Sequence, residues 1–156
     1  MKEDPRPPLP GFEKSDSPLD DRRPSIYLLE FSIPEDITID VGSLGEIIFR
    51  SGRYIYVGSA KSGLYIRARR HLGSPKSCKW HIDYLNRCSM EKTVWRPDHD
   101  AGGECRSARI LTSEYEGIPH FGSSDCECSS HLFFIDFDTS PTKRSPKGSL
   151  PPDKGR

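Results

Sequence analysis

Apolar residues cluster into short runs separated by turn residues. Ser25-Ile-Tyr-Leu-Leu-Glu-Phe-Ser-Ile33 is dense in aromatic and branched side chains and is closed by Pro34, which predicts a strand. A turn-rich link leads into Glu46-Ile-Ile-Phe49, and Ser51-Gly52 turns the chain into Arg53-Tyr-Ile-Tyr-Val-Gly58. There Tyr54 and Tyr56 alternate with Ile55 and Val57. Both faces of that strand are filled, so the sheet should be packed on both sides or carry a site on one. After Gly58 the period changes. Leu64, Ala68 and Leu72 recur at helical spacing and predict a helix over 63–72. Further helices are expected over 79–88 and 103–115, with a short strand at Thr93-Val-Trp95 and a last one over 131–136.

The flanks look different. The chain has 156 residues, of which 33% are hydrophobic, and that low share is local rather than general. Residues 1–24 and 140–156 are rich in proline and charge, so both read as disordered tails around one domain over 25–139. The net charge of zero also hides an asymmetry. No acidic residue occurs over 47–82, where Arg50, Arg53, Lys61, Arg67, Arg69, Arg70, Lys76 and Lys79 all fall. Such a block points to an anionic partner, against the plainer reading of a solvated basic face. No apolar run is long enough to span a bilayer, and 1–24 lacks the apolar core of a signal peptide. A cytoplasmic protein with reduced cysteines is therefore expected, and five cysteines cannot all pair.

Within this layout three features carry chemistry. Arg67 and His71 lie four apart and share a helix face, where a cation and an imidazole could grip a phosphate. Glu104, Ala108, Leu111 and Tyr115 follow the spacing of one face, placing a carboxylate at the edge of an apolar stripe. Its place in the first turn of the helix offers a simpler explanation. Tyr27 and Tyr56 fall on neighbouring strands, where either could be core packing with its hydroxyl bonded once.

Together these pieces resemble the GIY-YIG nuclease superfamily. The first motif reads Ser25-Ile26-Tyr27 and the second Tyr56-Val57-Gly58. The strings Tyr56-Val-Gly-Ser-Ala60, Arg70-His-Leu72, Trp80-His-Ile-Asp-Tyr-Leu85, Glu104-Cys105 and Phe121-Gly-Ser-Ser-Asp-Cys126 are similar to an uncharacterised branch, formerly domain of unknown function 123. Members of that branch also occur fused to endonuclease III-type repair enzymes. The resemblance implies an α/β (α+β) fold with a small, central, mostly antiparallel sheet flanked by helices. It implies DNA phosphodiester hydrolysis, with a setting in DNA repair and a repair-protein partner. Tyr27 and Tyr56 would act on the nucleophile side, with Tyr27 as general base. Arg67 would hold the scissile phosphate, His71 would assist, and Glu104 would bind Mg²⁺ or Mn²⁺. Lys61, Arg67, Arg69, Arg70, Lys76 and Lys79 would meet the nucleic acid. Two departures stand out. Serine replaces the first glycine, and one extra residue lies between Gly58 and Arg67, with Gly63 the place to absorb it.

Cys126-Glu-Cys128-Ser-Ser-His131 offers soft ligands for zinc, with Cys105 and His120 available. The spacing matches no standard finger, so a tight turn with packed cysteines is the expected reading and zinc the alternative. Asp125 would brace that turn. Beside the metal-dependent endonuclease stand two other functions: a non-catalytic nucleic-acid-binding module that keeps the fold, and a zinc-stabilised interaction domain.

Overall fold

The computed structural model describes residues 7–73, 78, 80–97, 103–123 and 126–136. Along the chain run β1 (Phe12–Lys14), β2 (Ser25–Ile33), β3 (Ile37–Asp40), β4 (Glu46–Phe49), β5 (Gly52–Ala60), α1 (Leu64–Leu72), β6 (Met90–Pro97), α2 (Glu104–Thr112), β7 (Glu116–Gly117) and β8 (Leu132–Asp136). Six strands form one sheet in the order β1-β6-β2-β5-β8-β7, and β3 and β4 form a separate hairpin. Every described pairing is antiparallel, so the fold is α+β as the sequence predicts.

The alternation in β5 sorts two cores onto opposite faces. Tyr54 and Tyr56 join Tyr27, Leu29, Phe31, Leu64, Ile82 and Phe121 on the face covered by α1. Ile55 and Val57 join Leu28, Trp95, Ala108, Leu111 and Phe133 on the face covered by α2. A sheet buried on both sides needs apolar residues at successive positions, which is why β2 and β5 read as near-continuous apolar runs.

Four expectations are corrected. The segment read as a disordered tail over 1–24 places a strand on the sheet edge: β1 pairs with β6, and Leu9 and Phe12 are buried in the α2-side core. A few apolar residues between prolines suffice for an edge strand, which need satisfy only one neighbour. The 140–156 tail lies outside the described residues. The helix expected over 79–88 is a single 3₁₀ segment, His81–Leu85, in which Ile82 and Leu85 are buried three apart, as a three-residue turn requires. On α1 the apolar stripe is turned by one residue: Leu64 and Ala68 are buried, but Leu72 is exposed and His71 takes the inner place. Finally, Thr93-Val-Trp95 is the middle of a longer strand, β6.

Candidate active site

Tyr27 on β2, Tyr56 on β5 and His71 on α1 converge on the α1-side face. The Tyr27 hydroxyl lies 2.6 Å from His71 Nε2. The tyrosine rings are 6.4 Å apart between centroids, and His71 stands 5.4 Å from Tyr27 and 6.0 Å from Tyr56. Gly58 faces Tyr27 directly across the β2–β5 ladder. A Cβ at Gly58 would stand 2.5 Å from the Tyr27 ring and hydroxyl, so only a hydrogen there lets the phenol lie across the strand. That is the local reason for glycine after Tyr56-Val57.

Burial pushes Tyr27 well above the ordinary phenol range, Tyr56 adds to it, and the Arg67 guanidinium opposes it through charge and a hydrogen bond. Burial likewise raises Tyr56, again opposed by Arg67. Burial holds His71 down at about 3, so its ring is neutral and Nε2 can accept the Tyr27 O–H. The Glu104 carboxylate, from the first turn of α2, raises both phenols by its charge. Tyr27 is 0% exposed and Tyr56 5%, so Tyr56 is the phenol that touches solvent.

Arg67 is aimed by stacking: its guanidinium carbon lies 3.8 Å from the centroid of the Trp80 ring. Gly63, with a φ of +115°, directly precedes α1, which begins at Leu64. Of the other basic candidates, Lys61 and Arg69 are exposed. Arg70 departs from its expected place on a nucleic-acid surface. Its guanidinium makes a bidentate pair with Asp83, itself 1% exposed at the side chain, with a shortest approach of 3.0 Å. An arginine that compensates a buried carboxylate braces α1 against the 3₁₀ segment. Lys76, Lys79 and Asp125 lie outside the described residues.

Beside Glu104 a second constellation forms. Cys105 on α2 and Cys126, Cys128 and His131 before β8 bring their ligand atoms within 4.8 Å of one another. His131 Nε2 is 3.5 Å from Cys126 Sγ and 4.0 Å from Cys105 Sγ. The other ring nitrogen, Nδ1, lies 3.0 Å from Glu104 Oε2, a close approach of charge rather than an aligned hydrogen bond. Although burial lowers it, His131 is raised on balance by Glu104 and Cys126. Burial and the neighbouring thiols push Cys128 up to about 12. Cys126 is lowered because hydrogen bonds from Cys128 and Cys105 outweigh burial. Cys128 packs against the α2-side core and the Cys126 N–H donates to Ser123 O, as the expected reading has it, but Cys105, Cys126 and Cys128 are also free of disulfides and gather their sulfurs with His131. Soft donors in this number suit zinc rather than Mg²⁺ or Mn²⁺.

A family model, domain of unknown function DUF123, matches residues 26–148, a span that holds every residue of both constellations. The chain belongs to the DUF123 family. No curated protein and no solved structure matches it. Within this DUF123 domain Tyr27, Tyr56 and His71 come into contact, Arg67 and Glu104 reach the two phenols through charge, and Glu104 itself pairs with His131. Three residues escaped site assignment from sequence, although one apolar-looking string contains them. In Trp80-His-Ile-Asp83, Trp80 stacks on Arg67, His81 Nδ1 accepts the Gly122 N–H at 2.9 Å, and Asp83 holds Arg70. A tryptophan, a histidine and an aspartate so close together, in a segment with no room to bury three polar groups idly, were the available signal.

Proposed function

We propose that this DUF123 domain is a divalent-metal-dependent endonuclease that hydrolyses DNA phosphodiester bonds, in keeping with the likeness of its motifs to GIY-YIG nucleases. One observation carries the reading: Tyr27 and Tyr56 from two strands and His71 from α1 meet on one sheet face, the Tyr27 hydroxyl 2.6 Å from His71 Nε2, with Arg67 near enough to oppose the burial of both phenols by its charge. Packing alone has no use for that set, since each buried polar group costs free energy unless a partner offsets it.

The reading gives each residue a role. Arg67, held over Trp80, offers a planar donor fork to a phosphate oxygen. Tyr56 meets the attacking water because it retains solvent contact, which transfers to it the entry role that the resemblance gave to Tyr27. Behind it Tyr27 and His71 form a buried pair in which the neutral Nε2 accepts the Tyr27 O–H and can take its proton. Arg67 works against a charge on His71, so an arriving phosphodiester anion, by neutralising that guanidinium, makes the imidazolium less costly. The single carboxylate fits Mg²⁺ or Mn²⁺, ions that take one or two protein oxygens and fill the remainder with water and phosphate. Glu104 can serve His131 with one oxygen and a hard cation with the other. Bound there, such an ion would neutralise charge growing on the phosphate.

A role in DNA repair, with a repair protein as partner, belongs to the same proposal. The reading is tested by incubating the purified protein with duplex, nicked and branched DNA in Mg²⁺ or Mn²⁺. Wild-type protein is expected to cut at least one substrate, and Arg67→Ala and Tyr56→Phe to cut about 100-fold more slowly or worse. Equal cutting by all three proteins would mean that the site is elsewhere. The complete burial of Tyr27 favours a second reading, a nucleic-acid-binding module without catalysis. Tight, salt-dependent DNA binding with no cleavage of any substrate would select it.

A further inference from the structure

We infer that Cys105, Cys126, Cys128 and His131 hold one structural Zn²⁺, and that through His131 this ion fixes the position of Glu104. Tetrahedral zinc with Zn–S of about 2.3 Å and Zn–N of about 2.0 Å sets nitrogen and sulfur ligand atoms about 3.5 Å apart and two sulfurs about 3.8 Å apart. His131 Nε2 lies 3.5 Å from Cys126 Sγ, at that nitrogen–sulfur edge, and 4.0 Å from Cys105 Sγ, slightly beyond it, and all four donors fall within 4.8 Å. Three thiols and one imidazole close the coordination sphere, the arrangement of structural rather than catalytic zinc.

Such an ion would fasten a loop to a helix. Residues 118–131 carry no helix or strand in their described part and are tied down by a few backbone bonds, among them His120 N–H to Ser129 O and His131 N–H to Phe121 O. His120 and Gly122 both adopt positive φ in that stretch. A crosslink from Cys126, Cys128 and His131 to Cys105 fastens this loop to the first turn of α2.

The same crosslink reaches the candidate active site. A histidine that binds zinc through one nitrogen commonly donates its other N–H to a carboxylate, which fixes ring and carboxylate together. Here the carboxylate beside Nδ1 is Glu104, 3.0 Å away in a close approach that lacks hydrogen-bond alignment, and adjacent in sequence to the ligand Cys105. Zinc therefore holds Glu104 by two routes, the α2 backbone and the His131 ring. This second part rests on the endonuclease reading; the zinc site itself does not.

Metal analysis of the purified full chain tests the first part. One zinc per chain is expected, and replacement by Co²⁺ should give the intense visible bands of tetrahedral thiolate coordination. Cys126→Ser and Cys128→Ser should each lose the zinc or weaken it more than 10-fold, and Glu104→Gln should keep one zinc but bind it about 10-fold more weakly. Absence of zinc, a Cys126–Cys128 disulfide in its place, or a Co²⁺ spectrum without thiolate bands overturns the site, and the Co²⁺ experiment needs no variant to fold. Unchanged zinc affinity in Glu104→Gln overturns the link to Glu104. If the zinc is present but wild-type protein cuts no DNA, the endonuclease reading fails and the zinc site stands. If DNA is cut by protein that never holds zinc, the zinc inference fails and the nuclease stands.

Discussion

Gly58 and His71 show how single residues fix the site. Replacing Gly58 with alanine puts a methyl 2.5 Å from the Tyr27 phenol, which must leave its place across β5. Overpacking of this kind costs about 1–3 kcal/mol, so Gly58→Ala is expected to lower stability in urea denaturation by that amount while Gly103→Ala, with open space around it, costs less than half as much. Equal effects at both positions would remove the close-approach argument. His71 gives a pH signature. Its folded pKa of about 3 lies below the ordinary histidine value of 6.5, so the unfolded chain takes up a proton that the folded chain refuses. The stability from this group is therefore complete above pH 6.5 and is lost as pH falls from there toward about 3, at up to about 1.4 kcal/mol per pH unit. His71→Gln should flatten the slope of stability against pH between 5 and 6.5. An unchanged slope would mean that His71 is not held neutral. At this scale the meeting of Tyr27, Tyr56 and His71 was legible through the resemblance of their motifs to the nuclease superfamily. Cys105 and His120 were both available as a fourth soft ligand, and only the fold, which carries Cys105 across β7 and a loop to Cys126, chooses between them.

Elements explain why some assignments shifted by a turn or a strand. The periods that predict β2, β5 and α1 are set by burial on known sides, and those elements lie where the pattern puts them. Leu72 and His71 exchange places because a four-residue stripe on a short helix cannot distinguish adjacent positions, and the neutral ring is accepted inside by Tyr27. The strand β1 was hidden by proline and charge on either side, although Phe12 is 5% exposed and Leu9 only 3%. Its contribution can be measured: Phe12→Ala is expected to cost about 3 kcal/mol in chemical denaturation, the scale of emptying a buried aromatic site. A cost below about 0.5 kcal/mol would return this segment to the role of a loose tail. The pair between Arg70 and Asp83 binds α1 to the 3₁₀ segment. Arg70→Ala leaves a buried carboxylate alone and should destabilise by about 3–5 kcal/mol, whereas a residue used only to meet DNA would cost almost nothing.

For the whole molecule, neutral net charge coexists with a basic surface because arginines divide into two sets. Arg53 and Arg70 are paired with Glu30 and Asp83, whereas Lys61, just before α1, and Arg69 on it are exposed. DNA binding is expected to weaken linearly in log salt, and Lys61→Ala and Arg69→Ala should each reduce that slope by about 1. Unaltered slopes would place the anionic partner elsewhere. The composition of 47–82 shows the basic block but cannot separate these sets, because the acidic partners come from β2 and the 3₁₀ segment. The most direct measurement is the single-turnover rate of DNA cleavage in Mg²⁺ or Mn²⁺ for wild type against Glu104→Gln, both shown to be folded. A catalytic cleft built around that carboxylate predicts a fall of about 100-fold or more. Cleavage by Glu104→Gln at the wild-type rate would contradict it.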